Sequence, residues 1–344
     1  MSEPHRVATI LAIDGGGIRG LIPALILADL EQRLKRLGSK KPLVSAFDLI
    51  AGSSTGALIA LGLALPKPQA KEKDADAMRE PAFDTQGIVD LYERHGHEIF
   101  PPTTGRIRST RQIFKSKYDG LEFERLLAGI FGEATLRDGL TNLLITTFDT
   151  VSLEPRCMKN RPSRSEWRDD MDFYMKDAAR ASAAAPTYFP PVEVSPVPAN
   201  GERYCLVDGS IFANNPSFLA YVETRKIHPE AEEFLIVSLG TGEPPKGYTY
   251  GEIAGWGYFE WLNPMRRLPL WSMMAAGQGQ SVNHMLGRME GVHYSRISGI
   301  LDGCSPDMDD ASPANLAALR EVALHLIAQH DEELEAIAGS LCRE

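Results

Sequence analysis

The chain has 344 residues, 43% hydrophobic and 24% charged, proportions ordinary for a globular protein able to bury a substantial core. Its formal net charge of −10 excludes the basic face of a general nucleic-acid binder and disfavours electrostatic adhesion to anionic lipid, while leaving brief apolar docking open. Cys157, Cys205, Cys304 and Cys342 form no CxxC pair, so no zinc site of that kind is expected, and such sparse usage fits a reducing cytosol.

Residues 6–13, which hold the apolar run Val7 to Ile13, read as a buried strand. The run has no basic flank and no small-residue cleavage site after it, so no signal peptide is expected. Gly15 to Gly20 make a tight turn into a helix, Leu21 to Leu37. Pro23 is tolerated in its first turn, Leu27, Leu30, Leu34 and Leu37 mark one face, and Gly38 stops it. Ala46 to Ala51 is a second strand. A glycine-rich turn then leads to a helical run, Ala57 to Leu65, about half of what a bilayer crossing needs. Residues 67–87 and 159–170 read as polar loops, 142–149 as a strand, and Asp177 to Ala185 as a helix closed by Pro186. Strands follow at 203–208 and 234–239, the second ended by Gly240-Thr241-Gly242, and one or two helices are expected between Ala311 and Ala338. Alternation of this kind predicts an α/β fold, three layers with a central, mostly parallel sheet covered by helices. No linker divides the chain. One domain is expected, with its core at about 6–245 and residues 246–344 as a mainly helical extension packed on it.

Two turns carry chemistry. Gly52-Ser53-Ser54-Thr55-Gly56 is a GxSxG motif between a strand and a helix, the setting in which a sharp turn pushes the central hydroxyl out of the fold. Ser54 is the candidate nucleophile, with Gly52 and Gly56 leaving room for the crowded backbone. Asp14-Gly15-Gly16-Gly17-Ile18-Arg19-Gly20 also joins a strand to a helix. Its consecutive glycines let N–H groups converge on a negative oxygen, so Gly15, Gly16, Gly17 and Arg19 are oxyanion-hole candidates with Gly20 in support. The same glycines satisfy GxGxxG, but the ribose-binding acid expected about 20 residues further on is absent from Gly38-Ser39-Lys40-Lys41. A serine needs a proton acceptor, and Asp208, followed by Gly209 at a strand end, is the candidate. The competing arrangement is a Ser–Asp–His triad completed by His228, His284 or His293. A catalytically idle scaffold on the same fold is a further alternative.

As a set, the stretches 14–20, 52–56 and 208–209, with Lys117 to Gly120, Leu140 to Asp149, Ala179 to Pro190 and Val237 to Gly242, resemble the patatin-like phospholipase family. The resemblance implies an α/β sandwich and a Ser–Asp dyad in which Ser54 attacks and Asp208 takes the proton. It also implies first-loop glycines as the oxyanion hole, an acyl-enzyme, phospholipid or other acyl-ester substrates, and no cofactor or metal. A cytoplasmic setting is expected from the cysteine usage and the N-terminal reading, with transient contact at membrane surfaces, and some bacterial members of the family are regulated membrane-damaging effectors. The family's third motif is usually Asp-Gly-Gly or Asp-Gly-Ala, whereas here it is Asp208-Gly209-Ser210, a change able to alter the aspartate's hydrogen bonding. Trp256 to Trp271, with Met273 and Met274 nearby, is a candidate apolar mouth for lipid, though the segment reads more simply as core and interface packing. Arg266 and Arg267 are available to lipid phosphates, though they read more simply as a solvated helix end.

Overall fold

The computed structural model describes residues 6–68, 79–100, 116–160, 172–199, 201–245, 247–263, 268–305 and 307–342. Much of the two polar loops expected at 67–87 and 159–170, and both Arg266 and Arg267, lie outside these residues. The first half of the fold runs β1 (Val7–Ile13), α1 (Leu21–Arg36), β2 (Leu49–Ser53), α2 (Thr55–Ala64), α3 (Thr85–Ile99), α4 (Leu121–Phe131), β3 (Asn142–Asp149), β4 (Glu154–Lys159) and α5 (Met175–Ser182). The second half runs β5 (Val192–Val194), β6 (Tyr204–Asp208), α6 (Ser210–Ala213), α7 (Ser217–Ile227), β7 (Glu233–Leu239), α8 (Tyr250–Ile253), α9 (Tyr258–Trp261), α10 (Pro269–Leu286), β8 (Val292–Ile297), α11 (Pro313–Gln329) and α12 (Asp331–Leu341).

β1 explains why the sheet is covered on both sides. Its alternate residues enter two separate cores, Leu11 and Ile13 on one face, Ala8 and Ile10 on the other. The first face carries the larger core, with α1, α2 and the C-terminal Leu319, Leu326 and Leu334. The second is closed by Ala220 and Tyr221 of α7 and Leu286 of α10. A strand buried on both faces must be a near-continuous apolar run, which is why β1 and β2 are legible in sequence.

Strand neighbours run β5-β6-β3-β2-β1-β7-β8, with β4 also pairing β3. The stretch β3-β2-β1-β7-β8 is parallel throughout, whereas β4, β5 and β6 pair antiparallel. Several elements depart from the sequence pattern. Residues 43–46 form a 3-10 turn, so the second strand begins only at Leu49. α3 starts inside the expected 67–87 loop, where Asp84 caps it by accepting the Gly87 N–H at 2.8 Å. The region after residue 245 does more than pack on the core: β8 pairs in parallel with β7 and extends the sheet by one strand.

Candidate active site

Strand register brings the two predicted residues together. β2 runs parallel to β3 and ends with Ser53 opposite Thr146. β6 runs antiparallel to β3 and ends with Asp208 opposite Thr147. β4 occupies the other edge of β3 past both levels, from Leu144 to Asp149. A strand has only two edges, so β2 and β6 lie end to end along the same one, their C-terminal ends facing each other. Ser54 and Asp208 meet at that join, near enough that the Ser54 hydroxyl favours the charged form of the Asp208 carboxyl.

The turn at Ser54 is strained. Its φ of 52° and ψ of −119° fall where a side chain is disfavoured, a cost of about 1–3 kcal/mol that surrounding structure must offset. Three contacts hold it. The Ser54 N–H donates to Ser182 Oγ at 3.0 Å, the Ser182 hydroxyl donates to the Thr146 carbonyl at 2.7 Å, and the Ser54 carbonyl accepts the Ala57 N–H at 2.9 Å. Asp208 is tied to the same support through its N–H, which donates to the Ala184 carbonyl at 3.1 Å. The end of α5 thus fixes both halves of the join. Its sequence supports the family resemblance, yet nothing local marks Ser182, whose partners lie on β3 and in the turn just after β2. The supporting glycines are sites of close approach. A Cβ on Gly52 would lie 2.2 Å from the Gly56 carbonyl oxygen, one on Gly56 2.2 Å from that of Ile13, and one on Gly209 2.4 Å from Thr146. At Gly20 it would strike Thr55 and Tyr92.

Asp208 is buried, and burial pushes its carboxyl up from 3.8 to about 6, against the opposing hydrogen bonds of the Ser54 hydroxyl and of the Ser210 N–H and side chain. Ser210 N–H donates at 2.8 Å. The residue that departs from the usual third motif therefore sits against the aspartate, its N–H donating to the carboxylate and its side chain also favouring the charged form.

The glycine loop lies beside this join. Gly15 N–H is committed to the Asn214 carbonyl at 3.2 Å, and Arg19 N–H points back to the Gly16 carbonyl at 3.3 Å, so neither of these candidate amides faces the cavity unpaired. Among the described residues, the Gly16 and Gly17 amides have no partner. Each is oriented from behind. In a planar trans peptide the carbonyl and the next N–H point in opposite directions. Thr241 Oγ1 donates to the Gly15 carbonyl at 2.7 Å, which turns the Gly16 N–H away from Thr241. Arg19 Nε donates to the Gly16 carbonyl at 3.0 Å, which turns the Gly17 N–H the other way from Arg19. Just before the loop, the Asp14 carboxylate takes both terminal nitrogens of Arg296 on β8, at 2.9 and 2.6 Å. Thr241 and Arg296 are the contributions that sequence reading missed. Thr241 sits in a motif that could have pointed to it, and Arg296 carries no local signal.

Ser54, Asp208 and the glycine loop line a cavity of about 1140 Å³. Its walls include Leu58, Phe100, Phe123 and Phe189 on one side and Leu268, Trp271 and Met273 from the C-terminal region. The candidate apolar mouth near Trp256 to Trp271 is thus partly in place. No histidine among the described residues lines it. His228 lies 3.4 Å from Asp48, at the opposite end of β2, while His284 bonds Arg288 and His293 faces Glu233 at the surface. The histidine-completed triad therefore does not assemble.

Residues 11–221 match the family model described as patatin-like phospholipase. Patatin-like protein 2 of Arabidopsis thaliana is 33% identical over 93% of this chain and 83% of its own length. Patatin-03 of Solanum tuberosum is 32% identical over 93% and 84%. The protein named "Probable inactive patatin-3-Kuras 1", also of Solanum tuberosum, is equally similar, 32% over 93% and 86%. Overall identity to a relative named as inactive is thus as high as to the others, and identity alone does not decide activity in this chain.

Proposed function

The chain belongs to the patatin-like phospholipase family, a family of lipid hydrolases, and on that premise we propose that it cleaves fatty-acyl esters with Ser54 as nucleophile and Asp208 as proton acceptor. The observation that carries this reading is the end-to-end meeting of β2 and β6 on one edge of β3, which sets a hydroxyl against a buried carboxylate beside two unpaired amides. Asp208 takes the Ser54 proton as the oxygen bonds to the ester carbonyl carbon. Gly16 and Gly17 N–H groups hold the oxyanion. The tetrahedral adduct expels the alcohol of the lipid, which leaves with the proton from Asp208, and an acyl-serine remains. Water, deprotonated by the same aspartate, then bonds to the acyl carbon. The bond from that carbon to the Ser54 oxygen breaks, Asp208 returns the proton to Ser54, and the fatty acid leaves. Unpaired cysteines support a cytoplasmic setting, with contact at membrane surfaces transient.

The test is lipid mass spectrometry of phospholipid and neutral acyl glycerol mixtures incubated with wild type, alongside a fluorophosphonate probe. Free fatty acid and lysolipid should accumulate, and the probe should label Ser54 alone. Labelling elsewhere with undiminished turnover overturns the reading. Because the base must start ionised, kcat/KM should fall about tenfold per pH unit below about 6. A flat profile between pH 7 and pH 4.5 would contradict Asp208 as the base.

Thr241→Val keeps the side-chain shape and removes the hydroxyl that orients the Gly16 amide. The expected result is a fall in kcat of about 10- to 100-fold with KM little changed. Thr241→Ser should restore most of the rate. An unaltered kcat in Thr241→Val would remove Gly16 from the oxyanion hole.

A further inference from the structure

We propose that the exposed side chains of Tyr250, Tyr258, Phe259, Leu270, Met273 and Met274 form a face that seats the protein on an uncharged or zwitterionic lipid surface, with the catalytic cavity opening beside it. The proposal rests on the acyl-hydrolase reading above. Tyr258 and Phe259 of α9 are 87% and 90% exposed, and Tyr250 of α8 is 85% exposed. Water-facing aromatics at this density are costly in a protein that stays in bulk water. In the same segment the Tyr248, Trp256 and Trp261 rings meet edge-on, with centroids 5.0 and 5.2 Å apart. α9 packs on α10, whose Leu270, Met273 and Met274 are also exposed.

The face is continuous with the cavity. Tyr248 and Met273 are exposed to water and also line the cavity beside Trp271, so one surface runs from solvent to the Ser54 hydroxyl. A long acyl ester leaving a lipid layer along it need not cross water. Tyrosine and tryptophan, apolar in body and polar at the tip, suit the boundary between acyl chains and head groups.

Charge selects the kind of surface. Between Glu243 and Gly287 the sequence holds three acids, Glu243, Glu252 and Glu260, and three bases, Lys246, Arg266 and Arg267, so the segment is neutral within a chain of net charge −10. An anionic layer would repel a molecule of net charge −10, and the segment brings no net positive charge to offset that. An uncharged or zwitterionic layer carries no such penalty.

The experiment uses the Ser54→Ala protein, so that vesicles are not consumed, and the same protein with Tyr258→Ser and Phe259→Ser added. Neither ring lines the cavity. The Ser54→Ala protein should cosediment with pure phosphatidylcholine vesicles, less with vesicles enriched in phosphatidylglycerol. The added substitutions should weaken binding about tenfold or more. On the active background they should cut turnover of phosphatidylcholine vesicles while leaving that of monomeric p-nitrophenyl butyrate unchanged. The proposal is overturned by absent binding to phosphatidylcholine, by a preference for phosphatidylglycerol, or by equal binding of the two proteins. It is also overturned if light scattering shows that the substitutions separate a dimer and leave vesicle binding intact. A protein that binds vesicles through these rings yet hydrolyses no ester would sink the hydrolase reading and leave the docking face standing.

Discussion

Ser54→Ala should purify folded and turn over acyl esters at least about ten-thousand-fold more slowly than wild type, because removing a nucleophile leaves only binding and the oxyanion amides to act. The fold should survive, since the contacts that hold the turn use the Ser54 backbone and the Ser182 side chain rather than the Ser54 hydroxyl. Alanine keeps the Cβ, so the strain at φ 52° and ψ −119° remains. Ser54→Gly removes that strain. It should be equally inactive but more stable than Ser54→Ala by about 1 kcal/mol, the relief being partly offset by the greater freedom of glycine in the unfolded chain. Urea denaturation of the two variants beside wild type measures the difference. Full esterase turnover in either variant would remove Ser54 from the mechanism. Equal stability of the two would mean that the turn stores no strain.

Asp208→Asn should abolish turnover to a similar extent and stabilise the protein at alkaline pH. The Asp208 carboxyl titrates near 6 in the folded chain, against 3.8 for an ordinary aspartate, because burial disfavours its charged form. A folded-state pKa raised in this way means that the native state binds the proton more tightly than the unfolded state does. Stability from this group is therefore full below about pH 3.8 and is lost as pH rises through about 6. The shift of about 2 units corresponds to about 3 kcal/mol of destabilisation above pH 7. The amide of Asn does not titrate. Asp208→Asn should exceed wild type by up to about 3 kcal/mol at pH 8, with the advantage shrinking toward pH 4. Denaturant titrations at the two pH values check this. An advantage independent of pH, or one that grows on acidification, would show that the buried carboxylate does not carry the cost.

These expectations describe a site stabilised from elsewhere. The strained serine, the ionised buried aspartate and the unpaired amides of Gly16 and Gly17 each raise the free energy of the folded state, and all of them lie against one cavity. The compensating contacts come from distant parts of the chain: Ser182 under Ser54, Thr241 behind Gly15, Arg296 on Asp14. Substitution at any of the three should therefore act on the geometry of the site without removing a reacting group.

Sequence alone determined what neighbouring residues can encode. The apolar run of β1, the glycine turn after it, the GxSxG turn and the Asp-Gly pair are local signals, because strand burial and tight turns are properties of a few consecutive residues. They gave the α/β class and both residues of the join. β8 escaped, since Val292-His-Tyr-Ser-Arg-Ile is an edge strand, half exposed and mixed in polarity, with no apolar run to mark it. α10 fell within the stretch expected to be mainly helical, but its bounds escaped because Gly277, Gly279 and the polar residues around them blur helical periodicity. Only tertiary structure decided which amides of the glycine loop remain free, since that depends on where the Asn214 carbonyl, the Thr241 hydroxyl and the Arg19 side chain fall. It also decided that β2 and β6 share one edge of β3, for strand register is set by packing and pairing across hundreds of residues, and no short stretch of chain carries it.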